Sequence, residues 1–216
     1  MSEPLIHADI AKAHTLPSRF YTDENTFRKL LSGMQNCWYF GAHSSQFAEH
    51  NVIPLTDIET MLGEALMLTN SDRVRCLSNV CTHRGMLVAT EPCKSNTLQC
   101  SYHGRTFGID GCFKNMPEFQ DVEDFPSTSD DLANFPVTDW KGLQLVGGDL
   151  YLEEAITELE SRLGWIDVES FQHDPSRYRS YEIKANWALY VDNYLEGFHI
   201  PFVHGDLHDV LDKDEY

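Results

Sequence analysis

The chain has 216 residues, with 34 Asp and Glu against 16 Lys and Arg, for a formal net charge of −18. That balance argues against a nucleic-acid binder and against docking on anionic lipid, because both need basic surface. With 42% hydrophobic and 23% charged residues the composition is that of a folded protein, and no apolar run is long enough to span a membrane.

In chain order, residues 1–22 read as an irregular arm. It lacks the basic start and continuous apolar stretch of a secretory signal, so the cytoplasm is the expected compartment. Thr22 is expected to cap a helix that opens with Asp23 and Glu24, acids that suit a helix N-terminus. Phe27, Leu30, Leu31 and Met34 share one face of it, with Gly33 near its end. From Cys37 to Leu152 the pattern changes to short β-type runs at 37–42, 64–69, 74–80, 96–100, 105–109 and 142–148. Asp110-Gly111 signals a tight hairpin. Residues 113–140 read as an acidic loop with three Pro. After Tyr151, apolar residues at 152, 155, 156, 159 and 163 predict a helix that stops at Gly164. A last helix is expected from about Asn186 to His199, ended or kinked by Pro201. The reading is α+β: an arm and helix at 1–36, an all-β domain at 37–152, and a third segment at 153–216.

Six Cys in a cytosolic chain of this length do not read as a disulfide framework. Cys37 and Cys76 are expected to be core thiols, and Cys93 and Cys112 free loop or strand thiols. Cys81 and Cys100 differ because each has a His beside it. The segments are NVCTHRGM (79–86) and CSYHGRTF (100–107), giving C-x-H, sixteen intervening residues, then C-x-x-H. Cys81, His83, Cys100 and His103 could hold zinc tetrahedrally. Zinc fingers, however, usually take two Cys from one turn and two His from the other. One thiolate and one imidazole from each loop suits a two-iron cluster, with both Cys on one iron and both His on the second. Gly85 and Gly104 follow soon after each His, where a tight loop needs permissive backbone.

The segment NWALYVDNYLEGFHIPFVH (186–204) carries the other constellation. His199 and His204 are five apart, which on an unbroken helix would separate their faces. A break at Pro201 allows His204 to swing back, and Glu196 lies one helical turn before His199. Two His with a carboxylate and open positions suit a non-haem Fe(II) site.

The paired motifs resemble the Rieske non-haem iron oxygenases, the aromatic ring-hydroxylating dioxygenase α-subunit family. CWYFGAH (37–43), NVCTHRG (79–85), CSYHGRTF and the 186–204 segment occur in the family's order. The resemblance implies an all-β Rieske [2Fe-2S] domain followed by the start of a helix-plus-antiparallel-sheet catalytic domain. It implies that Cys81, His83, Cys100 and His103 bind the cluster and that His199 and His204 bind mononuclear Fe(II). Glu196 would bridge a neighbouring subunit's cluster His to an iron His, and Asn193 would lie near the iron. Met86 and Tyr102 stand where respiratory Rieske proteins carry a disulfide, so the likeness is to the oxygenase or ferredoxin branch. Arg105 stands where many members have Trp, and Gly205 where Pro often follows.

The implied activity is O2-dependent hydroxylation of an aromatic ring or a quaternary ammonium compound. Electrons would come from NAD(P)H through a reductase, with or without a ferredoxin, to a homo-oligomer of trimer type. The family's third iron ligand, an Asp far downstream, has no counterpart before residue 216, so the chain is expected to be an N-terminal portion. Asp206, Asp209, Asp212, Asp214 and Glu215 are the local acids. A stand-alone Rieske electron carrier and a zinc-stapled interaction module are the alternatives.

Overall fold

The structure is a computed structural model that describes residues 6–148 and 152–211. It contains ten strands: β1 (Trp38–His43), β2 (Val52–Pro54), β3 (Leu66–Asn70), β4 (Val74–Ser78), β5 (Thr97–Gln99), β6 (Thr106–Gly108), β7 (Phe113–Asn115), β8 (Asn134–Phe135), β9 (Val137–Trp140) and β10 (Leu143–Gly147). The helices are α1 (Arg19–Thr22), α2 (Glu24–Met34), α3 (Glu59–Leu62), α4 (Leu152–Leu163), α5 (Trp187–Tyr194), α6 (Ile200–Val203) and α7 (Gly205–His208). Chain contacts define two compact units, one of residues 31–178 and one formed by the segments before 31 and after 178. No helix among the described residues is long and apolar enough to cross a membrane.

Three antiparallel sheets build the larger unit: β1-β10-β9, β2-β3-β4-β8 and β5-β6-β7. The second is buried on both faces, and the residue pattern shows why. Side chains alternate across a strand, and in β3 both sets are apolar. Leu66 and Leu68 enter one core with Ala42, Ile53, Cys76 and Val146, against β1 and β10. Met67 enters the other with Val52, Leu77, Leu98, Phe107 and Leu132, against β5 and β6. A continuous apolar run at 65–68 is therefore a central strand, covered on both sides. Thr69 is the buried polar member of that strand, and its hydroxyl donates to the Ile109 carbonyl at 2.8 Å.

Phe107 has no exposed surface and sits in the core that also contains Cys81 and Cys100. Phe107→Ala should cost about 3–5 kcal/mol through lost burial and the cavity left behind. Against a net stability of roughly 5–15 kcal/mol for a typical domain, that is a large fraction. A denaturant titration of the reconstituted protein checks it, and a loss below about 1 kcal/mol would contradict this packing.

Several expectations need correction. Residues 6–22 are not wholly irregular, since a 3-10 turn at Ile10–Lys12 and the short helix α1 lie there. Thr22 ends α1 instead of capping the next helix. Asp23 does the capping, accepting from Thr26 N–H at 2.7 Å. Cys37 is exposed and not a core thiol, whereas Cys76 is buried, which pushes its pKa up to about 12. All six cysteines are free thiols. The acidic loop at 113–140 contains β7, β8 and β9. Strands of two to four residues are too short for alternation to register, and they form because partners in the sheets supply their hydrogen bonds. The helix at 152–163 forms as expected; Tyr151, just before it, lies outside the described residues.

In the smaller unit the last helix is broken. Asn186 caps α5 by accepting from Ala188 N–H, and its amide donates to the Tyr21 carbonyl at 2.9 Å. The helix then stops at Tyr194, five residues before His199. Glu196 explains the stop: its Oε2 takes the Phe198 N–H at 2.7 Å, a donor that a continued helix would aim at the Tyr194 carbonyl. Gly197 lowers the local helix preference further. Pro201 does not end a helix but sits in the first turn of α6, where its missing N–H costs nothing.

Candidate metal centres

Two loops in the larger unit share one backbone pattern. In the first, Cys81 N–H donates to the Met86 carbonyl and Gly85 N–H to the Cys81 carbonyl, at 2.8 and 3.0 Å. In the second, Cys100 N–H donates to the Arg105 carbonyl and Gly104 N–H to the Cys100 carbonyl, also at 2.8 and 3.0 Å. Each turn closes through a glycine at φ 73°, a conformation that side chains with a Cβ rarely adopt. The loop at 100–105 joins the paired strands β5 and β6, and the Val80–Leu87 bridge closes the other. Asn79 braces that first loop: its side chain donates to the Ala89 carbonyl and accepts from the Ala89 N–H, at 2.7 and 2.8 Å.

The loops bring like ligand beside like. Cys81 and Cys100 are both buried in one apolar cluster. The Cys81 thiol is held above its ordinary pKa by burial first, with further increments from the neighbouring Cys100 thiol. The His83 and His103 rings meet edge to face, 4.7 Å between centroids. The His83 imidazole is held below its ordinary pKa by desolvation first, and then by the neighbouring His103, Arg84 and Arg105. His103 Nδ1 is buried without a hydrogen-bond partner, and Tyr102 stacks on the ring at 3.8 Å. A buried, unpartnered imidazole nitrogen fits a metal ligand, since burial without a partner is otherwise unfavourable. Among the described residues no three His, Cys, Asp or Glu side chains converge on one ion position. A thiol pair beside an imidazole pair matches the chemistry of a binuclear cluster with two ligands on each iron.

Arg105 and Asp130 were not singled out as site residues in the sequence, yet they join the two loops. The Arg105 guanidinium is buried and paired through Nη2 with the Asp130 carboxylate. The Asp130 carbonyl accepts from the Thr82 hydroxyl at 2.8 Å, and Thr82 stands between Cys81 and His83. Asp130 is held below the ordinary carboxylate range by the Ser127 N–H and by Arg105. Only the Trp departure at 105 hinted at this; Asp130 lies in an acidic run with nothing to mark it.

The second constellation lies in the smaller unit. His199 caps α6 and His204 joins α6 to α7, and that one helical turn returns the two rings to 5.3 Å between centroids. Glu196 is not on a shared helix face with His199, but its Oε1 still lies 2.5 Å from His199 Nδ1. That bond, with help from the Phe198 N–H, holds the Glu196 carboxyl below its usual range. Asn193 is exposed on α5, with no side-chain hydrogen bond among the described residues. Asp206 and Asp209 do not complete a three-ligand group with the histidines. Asp212, Asp214 and Glu215 lie outside the described residues. Tyr194, Phe198 and Phe202 are largely exposed around the histidines.

Residues 37–126 match the Rieske [2Fe-2S] domain family, and residues 172–215 match the catalytic domain of the ring-hydroxylating α subunit. The carnitine monooxygenase oxygenase subunit of Escherichia coli K12 is 29% identical over 97% of this chain and 57% of its own length. The chloroplastic choline monooxygenase of Spinacia oleracea is 29% identical over 94% of this chain and 48% of its own length. A crystal structure of a quaternary ammonium Rieske monooxygenase superposes with a TM-score of 0.78, at 26% identity, covering 93% of this chain and 57% of that one. The chain thus spans about half the length of the relatives it matches.

Proposed function

Because the chain belongs to the Rieske non-haem iron oxygenases, we propose that it passes electrons from a [2Fe-2S] cluster to a mononuclear iron for O2-dependent hydroxylation. The substrate we favour is a quaternary ammonium compound of the carnitine or choline kind, on the strength of the relatives' specificities. The observation that carries the reading is the presence of two ligand sets in one chain: paired thiols and imidazoles at 81–103, and paired imidazoles at 199–204. A stand-alone electron carrier has no use for the second set.

Cys81 and Cys100 would hold one iron of the cluster as thiolates, and His83 and His103 the other as neutral imidazoles. The raised Cys81 pKa means that loading releases a proton from that thiol. When bound, the cluster supplies one-electron transfer and the mononuclear iron supplies O2 activation. Glu196 fixes the His199 ring through Nδ1, which would leave Nε2 to hold the iron. His204 would be the second iron ligand, and a carboxylate would be the third. Asn193 is proposed only as a neighbour of that site. Glu196 would also accept from a cluster imidazole of an adjacent subunit, in a homo-oligomer of trimer type. The electron donor is a reductase using NAD(P)H, with or without a ferredoxin. The cytoplasm is the proposed compartment.

Anaerobic loading with iron and sulfide should give a red-brown protein with one cluster per chain. After reduction its EPR signal should have a lower average g value than an all-Cys cluster. A colourless product that takes up zinc instead would remove the cluster reading. For substrate, product formation with carnitine or choline, reductase and NAD(P)H is set against formation with aromatic hydrocarbons; turnover of the aromatics alone would remove the quaternary ammonium assignment.

A further inference from the structure

We propose that Arg105, paired with Asp130, raises the reduction potential of the cluster by holding a buried positive charge at the junction of the two ligand loops. The inference rests on the assignment of Cys81, His83, Cys100 and His103 to that cluster.

The charge is well placed and poorly screened. The Arg105 side chain is only 4% exposed. Phe113, Phe125 and Phe107 surround its guanidinium, with ring centroids 5.0, 5.6 and 5.9 Å from Cζ. Those rings exclude water and favour a cation over their faces, and in such surroundings a charge acts at longer range than in solvent. Its counter-charge sits on one edge of the guanidinium. Asp130 engages Nη2, whereas Nε is buried with no acceptor. Both loops are tied to the pair. The Arg105 carbonyl receives the Cys100 N–H, and the Asp130 carbonyl receives the Thr82 hydroxyl between Cys81 and His83.

Reduction adds one electron and one negative charge to the cluster, with no bond made or broken. A fixed cation nearby stabilises the more negative state, so it favours reduction, and the Asp130 carboxylate opposes part of that effect. Net charge and solvent exposure are among the factors that set cluster potentials. A surface ion pair would be too well screened to matter, but this one is not at the surface.

The test is a spectroelectrochemical titration of the reconstituted protein at fixed pH. Arg105→Leu should lower the reduced-to-oxidised ratio at a given ambient potential about tenfold, equivalent to about 59 mV for a one-electron couple. Arg105→Lys keeps the charge and should retain most of the wild-type potential. Asp130→Asn removes the counter-charge at nearly constant volume and should shift the potential upward. If Arg105→Leu does not hold a cluster, Asp130→Asn decides alone. An upward shift supports the proposal, while an unchanged potential, a downward shift or loss of the cluster overturns it in favour of a purely structural bridge. A wild-type protein that holds no Rieske cluster would instead remove the assignment beneath the proposal; an intact cluster with an unmoved potential overturns the proposal alone.

Discussion

Cys100→Ser should leave a protein that is colourless after iron and sulfide loading and silent in the Rieske EPR signal. Cys100 is 2% exposed, in the same buried cluster as Cys81, Leu98 and Phe107. Its neighbours in that cluster are apolar apart from Cys81, itself a proposed ligand, and the Asp130 carboxylate is engaged by Arg105. Serine keeps the shape of the side chain but offers a hydroxyl, a far poorer ligand for iron than a thiolate. The variant also loses the stabilisation that binding confers, because a ligand bound only by the folded state adds to its stability. Cys93→Ser is the control. Cys93 is an exposed thiol outside both ligand loops, and its replacement should leave colour and signal unchanged. His103→Cys should give a coloured protein with an altered spectrum, since one imidazole becomes a thiolate. A Cys100→Ser protein with a full Rieske signal would take Cys100 out of the ligand set.

Glu196→Gln should separate electron storage from electron use. The carboxylate accepts at Oε1 from His199 and at Oε2 from the Phe198 N–H. An amide has a single acceptor oxygen, so it cannot serve both groups or bridge two imidazole N–H groups. Loss of a partner that orients a metal-bound His typically costs about 10- to 100-fold in metal affinity or activity. In an oxygenase preparation competent for turnover, product formation should fall by at least that factor. The Rieske cluster, whose proposed ligands lie at 81–103, should still accept its electron from the reductase. Stopped-flow reduction of the cluster beside steady-state product assays distinguishes the two steps. Wild-type turnover in Glu196→Gln would remove the bridging role, and a parallel loss of cluster reduction would point to misfolding instead.

Much of this protein was legible in its residues, for physical reasons. The candidate ligands stood out because few residue types ligate iron, and Cys81, His83, Cys100 and His103 occur at a spacing two tight loops can use. The longer strands were readable because burial of one or both faces writes itself into apolar periodicity, and the helix at 152–163 because its half-buried Leu152, Ile156 and Leu159 recur at helical spacing. Tertiary structure decided what depended on partners distant in the chain. The short strands β7, β8 and β9 exist only because neighbouring strands satisfy their backbone groups. The end of α5 was set by a side chain, Glu196, competing for a backbone donor, a choice that helical periodicity does not encode. Asn79 and Thr82 lie inside the first ligand segment and Asp130 in an acidic run, but their parts in bracing and joining the loops follow from contacts spanning 10 to 48 residues of sequence. Arg105 shows the division most clearly. Its identity departs visibly from the Trp common in the family, but burial, three aromatic rings and a counter-ion 25 residues away turn that difference into a charge beside the candidate cluster.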